Sequence, residues 1–140
     1  MKKLGTLLLL FFALNSLAQI ENNPAIISTS VEKISDTDYN LIFTVNILDE
    51  WHLYSQYNPE DASLPMEILA AKGATGFQLI GKATESKTYK EYSDTWEKEE
   101  IFFKEKAIIT QRIQLIYTNI TSVKLNFFAQ VCKEVCIQIE

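Results

Sequence analysis

Cys132 and Cys136 are the only cysteines in the 140-residue chain, and just three residues separate them. Two thiols at that spacing can lock into a disulfide or pass one to a partner through a mixed disulfide. Metal binding asks for more. A structural zinc site takes four ligands, and the lone histidine, His52, lies far away in the sequence. No metal and no cofactor is therefore expected. Lys133 favours a thiolate and Glu134 and Glu140 oppose it, so the pair reads as a bond to be attacked more than as an aggressive oxidant.

The short loop bears on whether this bridge is a staple or a reagent. Closing about five residues removes only about 2 kcal/mol of unfolded-state entropy, against roughly 4.7 kcal/mol for a hundred-residue loop. A fold in need of a staple gains more from tying distant strands together. Tight, exposed bridges are also the more readily reduced ones. Taken alone, the residues leave both roles open.

Other chemistry-bearing residues have plainer readings. His52 lies in the aromatic run Trp51-His-Leu-Tyr54 with no nucleophile pattern beside it, so it reads as a packed or surface histidine. Tyr89, Tyr92 and Trp96 fall in an acidic stretch and read as core packing or as a lid. Glu97-Lys-Glu-Glu100 reads as a solvated face, and Asn119-Ile-Thr121 as a chance glycosylation match.

The elements that must position the cysteines are strands. Residues 39–48 alternate almost strictly, with Leu41, Phe43, Val45 and Ile47 on one face. Residues 26–34, 51–56, 66–70, 77–80, 101–103, 107–117 and 123–131 also read as strands. The polar stretch from Tyr89 to Glu100 has no clean period and reads as a long loop. Leu125, Phe127, Ala129 and Val131 share a face of the last long strand. Cys132 ends that strand, Lys133-Glu-Val135 turns the chain, and Cys136 opens the return. Residues flanking such a loop face each other at roughly 4.5–5.5 Å between Cα atoms, within reach of a disulfide. About eight strands and no convincing helix predict an all-β, immunoglobulin-like sandwich, with a small closed barrel as the alternative.

The N-terminus carries a signal-peptide pattern: Lys2 and Lys3, an apolar run from Leu7 to Leu14, and Ser16-Leu-Ala18 as a small-x-small cleavage site. The expected organisation is a signal over residues 1–18 and one domain over 19–140. Loss of Lys2 and Lys3 leaves 11 basic against 18 acidic residues, a net charge of −7. An acidic chain without a basic cluster argues against nucleic acid. No later apolar run reaches the roughly 20 residues of a membrane span, so stable membrane insertion is not expected. Export to an oxidising compartment, the periplasm, favours a formed disulfide.

With these segments in view, the chain resembles the N-terminal periplasmic domain of the thiol:disulfide interchange protein DsbD, in a stand-alone, Bacteroidetes-like version. The resemblance runs through Glu50-Trp-His-Leu-Tyr-Ser-Gln56, Leu64-Pro65, Gly81-Lys-Ala-Thr-Glu85 and Glu99-Glu-Ile-Phe-Phe103. It continues through the strand containing Gln111 and ends in Phe127-Phe-Ala-Gln-Val-Cys132 with Cys136. It implies an immunoglobulin-like sandwich with Cys132 and Cys136 as the exchanging, disulfide-forming pair. Asp94, Thr95 and Trp96 would match the family's cap loop over the disulfide, although Thr95 stands where an aromatic is expected. Tyr54 would match an aromatic near the site. A thioredoxin-like or membrane electron donor acting in trans would reduce the pair. The acceptors would be periplasmic thiol–disulfide proteins, such as disulfide isomerases and the thiol carriers of cytochrome c maturation. Cys136 would form the mixed disulfide. The competing expectation is a non-catalytic binding or structural module in which the hairpin disulfide only fixes the last strand.

Overall fold

A computed structural model describes residues 23–140, and the expected signal peptide over residues 1–18 lies outside the described residues. Eleven strands form among the described residues, and no helix that could cross a membrane. They are β1 (Ala25–Lys33), β2 (Asp38–Ile47), β3 (His52–Tyr54), β4 (Glu67–Ala70), β5 (Phe77–Leu79), β6 (Thr84–Glu85), β7 (Tyr89–Ser93), β8 (Lys98–Phe103), β9 (Lys106–Leu115), β10 (Leu125–Cys132) and β11 (Cys136–Ile139).

These strands make two antiparallel sheets, one ordered β1-β2-β9-β5 with β6 also on β9, the other β11-β10-β3-β8-β7 with β4 also on β10. The architecture is the immunoglobulin-like sandwich. Inward faces follow the period of two that alternation demands. In β2, Leu41, Phe43, Val45 and Ile47 are buried; in β9, Ala107, Ile109, Ile113 and Leu115. Phe127, Ala129 and Val131 of β10 meet them from the other sheet, and the Phe43 and Phe127 rings lie 5.2 Å apart across the core. Gln111 is the polar exception in β9. It is buried, and its side-chain amide donates to the Gly81 and Arg112 carbonyls, so its burial leaves no donor stranded.

One expectation is corrected here. Residues 89–100 are not a long loop but β7, the turn 94–97 and the start of β8, paired in register from Tyr89 opposite Phe102 to Ser93 opposite Lys98. β7 is an edge strand whose residues are exposed or half-buried, so it has no apolar inward face to write a period into the sequence. Glu97 closes the turn at φ 54°, in the left-handed region, where a non-glycine residue is uncommon.

Candidate functional site

Side-chain alternation decides where the sulfur goes. Val131 points into the core, so Cys132, the next residue, points out of the sandwich on the opposite face. The same parity turns Leu53 of β3 and Phe103 of β8 inward and places Tyr54 and Phe102 outside with Cys132. Cys132, Tyr54 and Phe102 form a second, small cluster of buried residues, separate from the core. The site therefore sits on the outer surface of one sheet, beside two buried aromatic rings.

The strand β11 brings the second sulfur. Cys136 pairs directly with Cys132, and the two are joined by a disulfide with 4.1 Å between Cα atoms, closer than the spacing the sequence led us to expect. Lys133-Glu-Val135 makes the turn, closed by a hydrogen bond from Lys133 N–H to the Val135 carbonyl. The two halves of the bond differ in access. Cys132 is 6% exposed, whereas Cys136 is exposed on the outermost strand.

An open groove of about 560 Å³ runs along the disulfide. One wall is the tip of the β7–β8 hairpin, with Thr95 and Trp96; the other is the segment Ala62-Ser-Leu64. Tyr54 and Glu100 also line it. Of the residues singled out in the sequence, Tyr54, Thr95 and Trp96 line this groove with both cysteines, and Asp94 does not, standing exposed in the turn. Trp96 is itself 44% exposed.

The second wall was not legible in the sequence. Residues 55–66 have no regular structure of their own and are fastened by hydrogen bonds from one of their own side chains and from side chains of the sheet beneath them. The buried Asn58 amide donates to the Ser63 carbonyl, and its oxygen accepts the Ile101 N–H at 2.7 Å. Gln130 Oε1 accepts the Leu64 N–H at 2.7 Å. Glu100, read from sequence as part of a solvated face, is buried and accepts the Ser63 N–H. Its place in β8, two residues before Phe102, puts it on the outer face; recognising β8 as a strand that far back is the signal that finds it.

The electrostatics follow from these positions. Burial pushes the Tyr54 hydroxyl above the ordinary tyrosine range. His52 stands opposite Cys132 across the β3–β10 pair, with its ring stacked on Phe102 at 4.1 Å. Burial, and then the Lys104 ammonium, lower its basicity. Lys133 is bound to Glu50, and this partnership lowers the Glu50 carboxyl and raises the Lys133 ammonium. Its charge is thus already committed beside the disulfide. Among the described residues no cluster of His, Cys, Asp and Glu is arranged to hold a metal ion.

No protein-family model and no curated protein matches this sequence. Solved structures do match it. The N-terminal periplasmic domain of ScsB from Proteus mirabilis aligns with a TM-score of 0.59 at 14% identity, over 88% of this chain and 46% of that one. What the two share is the fold. The chain spans just under half the length of that ScsB chain. The yeast GGA1 GAE domain matches at a TM-score of 0.51 and 13% identity, over 85% of this chain and 88% of that one. The sandwich is thus common to a periplasmic domain and to a yeast domain.

Proposed function

We propose that this chain is a periplasmic thiol–disulfide interchange domain. Its Cys132–Cys136 pair would take reducing equivalents from a membrane or thioredoxin-like donor in trans and pass them to periplasmic thiol–disulfide proteins. The observation that carries this reading is the position of the bond. It joins two strands that are already paired, on the outer face of a sheet, with one sulfur open to a groove and the other covered. A cross-link there adds little to a hairpin that the backbone ladder holds in place. The ordered resemblance of segments to DsbD and the fold shared with a periplasmic domain support the same reading.

The asymmetry also orders the steps. A partner thiolate attacks the exposed Cys136 sulfur and forms a mixed disulfide, while Cys132 leaves with the electron pair of the broken bond. The second thiol of the partner then attacks the mixed disulfide, completing its own oxidation and releasing Cys136. Equilibration of the purified protein with glutathione tests the proposal. A relay pair shows a potential in the range of exchange proteins, whereas a structural bridge lies below about −300 mV. A value below that limit would return the disulfide to the role of a hairpin clip in a binding module.

A further inference from the structure

His52 is the only histidine in the chain, and no step described so far uses it. It is the direct cross-strand partner of Cys132, and such partners hold their Cβ atoms about 4.5–5.5 Å apart on one face. Both residues border the same ring: Cys132 belongs to the buried cluster with Phe102 and Tyr54, and the imidazole stacks on Phe102 with an interplanar angle of 15°. Few side chains titrate near neutrality, and this one lies beside the sulfur that must leave as an anion. We propose that His52 governs the protonation of Cys132 during exchange, a role that rests on the interchange reading above.

The charged and titratable groups around the imidazole are those of its neighbouring strands. Lys104, just past the end of β8, disfavours the imidazolium, and Glu91 of β7 and Glu100 of β8 favour it. Tyr89 of β7 and Tyr54 of β3 lie on the same outer face, and Glu50 and Lys133, bound to each other, flank the β3–β10 pair. With the disulfide closed, burial and Lys104 hold the ring neutral at neutral pH. Opening the bond adds a negative charge beside the ring. Attack on Cys136 breaks the S–S bond and leaves a thiolate at Cys132; His52 takes a proton from solvent as that charge forms and gives it to the sulfur. In the reverse direction the neutral ring accepts the Cys132 thiol proton, and the thiolate so formed attacks the mixed disulfide and expels the partner thiolate. The electrons come from, and return to, the partner dithiol.

A single histidine gives an unambiguous test. The rate at which dithiothreitol opens the disulfide is measured against pH in the full protein and in His52→Gln, and divided by the dithiothreitol thiolate present at each pH. The imidazole resonances of the oxidised protein give the His52 midpoint. Proton donation to the departing Cys132 sulfur makes the divided rate rise by about tenfold or more as pH falls through that midpoint. His52→Gln loses the rise and keeps the rate seen at high pH. A flat profile in the full protein, or the same rise in His52→Gln, would overturn the proposal. These rates do not depend on the reduction potential, so a low potential sinks the relay reading while leaving the His52 profile measurable.

Discussion

The buried carboxylate of Glu100 accepts the backbone N–H of Ser63 at 3.1 Å and so fastens the wall of the disulfide groove to the strand beneath it. Removing the carboxylate strands a buried donor, which costs about 1–3 kcal/mol. Glu100→Ala is expected to lose that much in urea unfolding and to speed reduction of the disulfide by small thiols. Glu100→Gln keeps an acceptor and is expected to retain most of the stability. Equal losses in the two variants would show that packing, not the hydrogen bond, holds the wall.

The two cysteines are expected to behave differently when replaced one at a time. Cys132→Ser leaves the exposed Cys136 thiol, which forms long-lived mixed disulfides because the sulfur that would resolve them is gone. Cys136→Ser leaves only the covered Cys132 thiol and abolishes transfer to partners. Both proteins remain folded, since the lost cross-link closes a loop worth about 2 kcal/mol. Non-reducing gels after incubation with a protein that carries an exposed disulfide, together with circular dichroism, check both halves. Normal electron transfer by Cys136→Ser would refute the assignment of Cys136 as the attacked sulfur.

Trp96 lines the groove beside the disulfide while remaining 44% exposed. Trp96→Ala is expected to accelerate reduction by dithiothreitol severalfold and to change stability by no more than about 0.5 kcal/mol. A large drop in Tm with unchanged reduction kinetics would make Trp96 a packing residue.

Stability should depend on pH through His52. In the oxidised protein burial and Lys104 hold its pKa below the unfolded value of about 6.5. The unfolded chain therefore binds the proton first. The contribution is fully present above about pH 6.5 and is lost as pH falls from there through the lower folded value. His52→Gln is expected to flatten the curve of unfolding free energy in that window only. An identical slope in the two proteins between pH 7 and the acid side of His52 would contradict the shift.

Much of the sandwich was legible because its strands bury one face. Leu41, Phe43, Val45 and Ile47 write the period of β2 into the chain, and Phe127, Ala129 and Val131 do the same for β10. The hairpin joining Cys132 to Cys136 followed from strand, turn and return. The segment 89–100 failed the same test because β7 has no buried face; its pairing with β8 is a backbone ladder that leaves no mark on side-chain pattern. The groove wall failed for a different reason. Asn58, Ser63, Glu100 and Gln130 come together from separate parts of the chain, and polar residues that satisfy one another look, one at a time, like surface. His52 read as a packed or surface histidine in an aromatic run, and its place opposite Cys132 became visible only with the strand register.

Val131 and Cys132 are neighbours in the chain and point to opposite sides of it. The disulfide and the hydrophobic core are thereby kept on separate surfaces of one sheet. Substitutions can accumulate on the inner side to suit temperature or expression host without touching the sulfurs, and the outer side can be redesigned without repacking the interior. The same arrangement sets one strict limit. A single-residue insertion or deletion within β10 ahead of this pair would swap the two faces, turning the Cys132 sulfur inward and apolar side chains outward, so the reading frame of that strand is its least tolerant property.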